Sequence, residues 1–184
     1  MDDKKNRQDW LLAGLRALSS EGPGGLRIVP LAEQLGVTKG SFYWHFENLK
    51  EYQLALIAQW ECSYAQHAIE YMEQMEGDPD TKFRSWMTGA AGSDFSLARA
   101  IRNWSLNDES IRQAQERVDA QLVAYLAKLL HGIGWTQDEA HTLAHWTYWA
   151  FVGYTTVSGP FISPTQLNLI LAVLKPHRCE ALPK

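Results

Sequence analysis

With 184 residues, 46% of them hydrophobic, the chain is long enough to bury about 70% of its unfolded surface in one or two domains. Its formal net charge of −4 excludes attachment to nucleic acid through bulk positive charge. Two cysteines, Cys62 and Cys179, lie far apart in no CxxC arrangement, which fits a reducing cytoplasm.

The charge is unevenly spread. Residues 1–50 carry seven Lys/Arg against six Asp/Glu, a net +1, while residues 51–184 carry ten against fifteen, a net −5. Any polyanion contact in the first fifty residues must therefore rest on a few placed side chains and on pairing of two copies. The N-terminus, MDDKKNRQDW, has no apolar h-region, so no signal peptide is expected.

A first helix is predicted from Asn6 to Ser20, where Leu11, Leu15 and Leu18 recur at helical spacing and Trp10 and Leu12 widen the stripe. Lys4, Lys5 and Arg7 at its start could meet a phosphate. Gly22-Pro23-Gly24-Gly25 is a connection. A second helix begins near Ile28 to Pro30, with Pro30 in the first turn, where a missing N–H does no harm. Its apolar face holds Leu31, Ala32 and Leu35. Gly36 stops it, because glycine adopts the left-handed conformation cheaply.

Thr38 then offers an oxygen to cap a third helix running to Phe46. Each residue turns about 100° around a helix axis. Phe42 and Phe46 therefore share a face and point to the core with Val37. Trp44 lies opposite, flanked by Gly40 and Ser41; Lys39 and Tyr43 form one border, Ser41 and His45 the other. Helix, glycine turn, helix is the helix-turn-helix arrangement, whose second helix enters the DNA major groove. The outward residues suit that task. Lys39 can reach a guanine edge or a phosphate, Ser41, Tyr43 and His45 can donate to phosphate oxygens, and Trp44 can touch a thymine methyl. Gly40 lets a partner approach the backbone closely. An exposed Trp without a ligand would be an unexplained apolar patch.

The run LAEQLGVTKGSFYWHFEN from Leu31 to Asn48 strongly resembles the DNA-binding domain of the TetR family of bacterial transcriptional regulators. The family pattern G-V-[ST]-x-[GP]-[ST]-[LF]-Y-x-[HY]-F is matched from Gly36 to Phe46. The strong resemblance covers roughly residues 8 to 60. A weaker one covers AIRNW (Ala100 to Trp104) and RVDAQLVAYL (Arg117 to Leu126). Two departures stand out. Val29 occupies a position that is often polar or basic in the family and cannot hydrogen-bond a base, so Arg27 is the nearby candidate for a phosphate contact. Leu49 stands where the family often has Lys, which leaves Lys50 as the cation of that turn. The DNA-contacting set implied is Arg27, Thr38, Lys39, Gly40, Ser41, Tyr43, Trp44, His45 and Lys50.

A long helix follows from Asn48 to Met75, with Leu49, Tyr52, Leu56, Trp60, Tyr64, Tyr71 and Met75 approximating one stripe. In the family this helix joins the two domains, so residues 1–50 are expected to bind DNA and residues 51–184 to bind ligand and dimerise. Further helices are expected over Asp80 to Ala90, Asp94 to Ser105, Asn107 to Gly132, Thr136 to Val157 and Ser163 to Lys175, with breaks at Glu76 to Pro79 and at Gly89, Gly92 and Ser93. Thr136 and Glu139 match a capping box. The fold expected is all-α, with nine helices in the TetR-like arrangement.

From Ala140 to Leu174 there is no Asp, Glu, Lys or Arg. A membrane span would fit by length, but His141, His145, Pro160, Pro164 and several Thr residues interrupt it. Two helices buried between their own core and a partner chain are expected instead. Leu143, Trp146, Ala150, Gly153 and Val157 form one stripe, and Tyr148, Trp149 and Val152 another. A helix apolar all round must be covered on both sides. With Leu167, Ile170, Leu171 and Leu174, this predicts a two-fold homodimer through a four-helix bundle.

The ligand-lining candidates are Trp60, Tyr64, Phe83, Trp86, Met87, Asn103, Trp104, His145 and Trp149, with Tyr148 and His67 beside them, since pockets pair apolar walls with a few polar groups. The resemblance implies such a cavity for an unknown small-molecule effector. His141 and His145 could bind zinc, but HExxH is absent and no third ligand is apparent, so neither metal nor cofactor is expected. With no phosphate loop and no nucleophile elbow, an enzyme is not expected. The expected function is a cytoplasmic, ligand-responsive repressor binding a near-palindromic DNA site as a dimer. The alternatives are a TetR-like regulator controlled by a protein partner and a metal-dependent enzyme built on the two histidines.

Overall fold

A computed structural model of the chain describes residues 5–89, 94–156 and 163–173. Among these there are nine α-helices, one 3-10 turn at Pro23–Gly25 and no strand, the all-α architecture expected. The helices are α1 Arg7–Glu21, α2 Ile28–Leu35, α3 Lys39–Tyr43, α4 Leu49–Gln74, α5 Pro79–Gly89, α6 Ser96–Ser105, α7 Glu109–Ile133, α8 Gln137–Thr156 and α9 Pro164–Val173. The expectations for Lys4, Ala90, Gly92, Ser93, Val157, Pro160, Leu174, Lys175 and Cys179 fall outside the described residues, as do those for the side chains of Leu167 and Leu171.

Local signals set the helix ends. Asn6 and Asp9 form a reciprocal capping box at the start of α1, Asp9 N–H to Asn6 Oδ1 at 3.0 Å and Asn6 N–H to Asp9 Oδ2 at 2.8 Å. Asn48 Oδ1 accepts from Glu51 N–H at 2.9 Å to open α4. Thr136 and Glu139 close the expected box at α8, with Thr136 N–H on Glu139 Oε2 at 3.0 Å and Glu139 N–H on Thr136 Oγ1 at 3.4 Å. Each box satisfies donors that a helix start otherwise leaves unpaired.

The chain folds as two compact units. One comprises residues 1–68 and 94–121, the other residues 69–93 and 122–184. α4 and α7 each continue from one unit into the other.

The first unit is built around an aromatic cluster. Trp10 of α1, Phe42 of α3, Phe46 and Tyr52 of α4 are each at most 1% exposed. Phe42 meets Trp10 edge-on at 5.3 Å and Tyr52 at 5.4 Å, and Phe46 meets Tyr52 at 4.9 Å. Such ring pairs contribute about 0.5–1.5 kcal/mol beyond their buried area. Tyr52 Oη donates to the Trp10 carbonyl at 2.7 Å, which permits the hydroxyl to be buried; burial raises its pKa well above the ordinary tyrosine value. The same hydroxyl explains Gly14, since a Cβ there would collide with Tyr52 Oη. α1 is also covered by α6, and the hydroxyls of Ser19 and Ser96 hydrogen-bond across that contact. The second unit buries Met72, Phe83, Leu126, Leu129, Leu130, Ala140, Ala144 and Tyr148, and Trp86 stacks on Phe151 at 4.8 Å.

Candidate nucleic-acid interface

α2, the turn and α3 form the site. Gly36 sits at φ 69°, ψ 30°, the left-handed conformation the turn requires, and its N–H and that of Val37 close the end of α2 on the Glu33 and Ala32 carbonyls at 3.1 and 3.0 Å. Two expectations need correction. Thr38 is the N-cap of α3, but its side chain makes no capping hydrogen bond. The regular helix ends at Tyr43 and turns through Trp44 and His45, short of Phe46. A helix of one and a half turns with Gly40 inside has little helical stability of its own. Its faces hold because Phe46 N–H still bonds to the Phe42 carbonyl at 3.0 Å, keeping both Phe side chains on the core side.

The outward face is open. Trp44 is 87% exposed and Tyr43 is 51% exposed. Thr38, Lys39 and Gly40 are exposed as well, and Ser41 is half-buried. Lys39 Nζ lies 5.8 Å from the centre of the Tyr43 ring. A Cβ on Gly40 would meet nothing closer than Thr38 Oγ1 at 3.5 Å, so nothing among the described residues requires glycine there.

His45 is half-buried, and its Nε2 donates to the Lys5 carbonyl at 3.0 Å. Arg7 lies over the Phe46 ring at 4.9 Å. Both contacts fasten the start of α1 to the end of α3. Arg27 precedes α2, exposed, with a 3.4 Å contact to the exposed Glu21; such surface pairs are weak and leave the guanidinium able to swing. Val29 is 49% exposed with no polar atom on its side chain. Lys50 donates to Asp108 Oδ2 at 2.7 Å. Sequence reasoning missed Asp108, because a carboxylate one residue before Glu109 reads only as a helix cap.

The ligand candidates divide between the units. In the first, Trp60 is 2% exposed and stacks on Tyr64 at 5.3 Å, and Trp104 is buried, while Asn103 is exposed. The Trp60 Nε1 and Gln115 Oε1 atoms are buried without a hydrogen-bond partner. Desolvation raises the Tyr64 pKa. In the second unit Phe83 is buried, Trp86, Met87 and His145 are half-buried, and Trp149 is 66% exposed. An open groove of about 710 Å³ in that unit is lined by Ala124, Ala127, Lys128, His131, Asp138 and His141 among others; none of the nine candidates lines it. His141 and His145 stand 4.7 Å apart, but no group of three or more His, Cys, Asp or Glu able to hold a metal occurs among the described residues. No helix among them is long and apolar enough to cross a membrane.

No family model matches the chain. It is 31% identical over 123 residues to the class C tetracycline repressor protein of Escherichia coli, a match covering 65% of this chain and 53% of that protein. It is 29% identical over 76 residues to the transcriptional regulator AcrR of Shigella flexneri, covering 41% of this chain and 35% of that one. The matched regions thus span about a third to a half of these curated relatives. In fold it is similar to reduced NemR of E. coli, with TM-score 0.73 at 20% identity over 92% of this chain and 95% of that one. It is also similar to the multidrug binding protein EbrR complexed with imidazole, with TM-score 0.65 at 18% identity over 96% and 98%. An exposed helix-turn-helix on an all-α body defines the class. Within it, the chain is similar in sequence and fold to transcriptional regulators of the TetR/AcrR kind.

Proposed function

We propose that the chain is a DNA-binding transcriptional repressor that acts as a homodimer and is released by a small-molecule effector. The observation that carries this reading is the outward face of α3, where an indole 87% exposed stands among Lys39, Tyr43 and Thr38 with no partner among the described residues to account for it. Lys39 and Trp44 read base edges. Thr38, Ser41 and Tyr43 donate to phosphates, Gly40 admits the sugar-phosphate backbone, and Arg27 supplies a cation at the margin. His45 contributes by fixing the start of α1 against α3. In functional terms residues 1–50 bind DNA and residues 51–184 carry dimerisation and effector binding.

The dimer reading is supported by α8. Ala140, Ala144, Thr147 and Tyr148 are buried in the chain, whereas Trp146, Trp149, Ala150 and Gly153 on other faces are exposed, and Leu169 of α9 is 65% exposed. A second copy of the same surface would cover them. The effector reading is supported by the unpaired Trp60 Nε1–H and Gln115 Oε1, buried groups that a polar ligand would satisfy. An effector that prefers a different arrangement of the dimer than DNA does would lower DNA affinity by that preference alone.

The test is binding of the purified protein to the DNA upstream of its own gene, at two salt concentrations, with random DNA as competitor. Tight, competitor-resistant binding that weakens with salt is expected. Binding no tighter than to random DNA would count against a repressor acting on its own promoter.

A further inference from the structure

Lys50 is the second residue of α4, directly after the recognition turn, and a free ammonium there would reach for a phosphate. It is not free. Its Nζ donates to Asp108 Oδ2 at 2.7 Å across 58 residues of sequence. Asp108 stands just before α7 and is itself held: Oδ1 accepts the Ser110 N–H at 3.0 Å and the Ile111 N–H at 3.4 Å. Its side chain is 22% exposed against 52% for Lys50, so the anion is the fixed partner and the lysine the one that can leave.

Neighbouring charges have their own partners. Glu51 accepts the Glu47 N–H at 2.6 Å, and Glu109 and Glu116 both bind Arg112 at 2.5 Å. The helix N-terminus behind Asp108 favours its negative charge, and the Lys50 ammonium holds its carboxyl below the usual aspartate range.

We propose that Asp108 is a positioning residue that holds Lys50 away from the DNA backbone, so that this one ion pair sets how strongly and with what salt dependence the protein holds DNA. The inference rests on the DNA-binding reading. A carboxylate and a phosphate compete for the same ammonium. The carboxylate is part of the chain and always at hand, whereas the phosphate must displace it. Anything that pulls the α6–α7 connection away from α4 would hand Lys50 to DNA.

The test uses the full-length dimer and a short mixed-sequence duplex, because phosphate contacts do not depend on sequence. Asp108→Asn removes the charge but keeps the Oδ1 cap, since Asn caps as well as Asp. It is expected to bind the duplex about threefold more tightly at low salt, and to steepen the slope of log affinity against log salt by about 0.9, the signature of one added phosphate contact. In a Lys50→Met background the same substitution should change neither quantity. An unchanged slope in Asp108→Asn overturns the proposal. So does equal tightening in both backgrounds, which would mean that Asp108 repels phosphate directly. If the unmodified protein does not hold duplex DNA at the lowest salt, the DNA-binding reading fails and this inference falls with it.

Discussion

Two surfaces of this chain expose tryptophan, and they are unlike. On α3, Trp44 stands among hydroxyls, a cation and a glycine; on α8, Trp149 and Trp146 stand beside Ala150, Gly153 and the half-buried His145. The first surface offers hydrogen-bond donors around an apolar centre, which suits a partner carrying phosphates and methyl groups. The second is mostly apolar, its donors confined to two indole N–H groups and one imidazole, which suits a partner as apolar as itself. The same residue type, exposed in both places, thus points to different partners, and its neighbours make the difference.

The contrast breaks most easily on the apolar side. Trp149→Glu, and separately Trp146→Glu, should shift the chain from dimer to monomer in sedimentation, since buried interface tryptophans typically contribute about 2–4 kcal/mol each. Specific DNA binding should fall with it, because each half-site alone binds weakly. An unchanged dimer at micromolar concentration would remove α8 from the interface.

The polar side should respond more mildly. Trp44→Ala or Lys39→Ala should weaken specific DNA binding by about 1–3 kcal/mol while leaving the sedimentation profile and the melting temperature alone. Affinity equal to the unmodified protein in both variants would remove the recognition role of this face.

A third change touches neither surface and should be the smallest. Glu61 accepts from Arg117 Nη2 at 2.8 Å, tying α4 to α7, and that hydrogen bond lowers the Glu61 pKa below its ordinary 4.5. A lowered folded-state pKa contributes stability above pH 4.5 that is lost as pH falls through the folded value. Glu61→Gln should therefore melt about 1–2 °C lower at neutral pH, with the gap closing on acidification below about 4.5. A gap that persists at low pH would mean that the loss is one of packing rather than charge.

Much of this was legible in the sequence because it is local. The 100° step placed Phe42 and Phe46 inward and Trp44 outward, and the structure agrees. Thr136 with Glu139 announced the start of α8, and Gly36 announced the turn. What could not be read was fixed by contacts between distant residues. Periodicity cannot show that Lys50 meets Asp108, that Ser19 meets Ser96, or that Tyr52 needs a glycine at position 14. The far end of α3 is also hidden: Phe42 and Phe46 keep their inward spacing although the regular helix stops at Tyr43. Spacing does not sort the ligand candidates either. Aromatic residues at helical spacing look alike whether they end as buried as Trp60 or as open as Trp149.

The compact unit around α3 is discontinuous in sequence, taking in α6 and the first part of α7 after the chain has left it at residue 68 and returned at residue 94. The helix-turn-helix is therefore not a portable cassette. A chimera that grafts only the N-terminal segment onto another body would strip α1 of the α6 surface that covers it, and would leave Lys50 without its carboxylate. If α3 reads DNA as proposed, operator preference is better swapped by exchanging side chains on α3 than by exchanging segments.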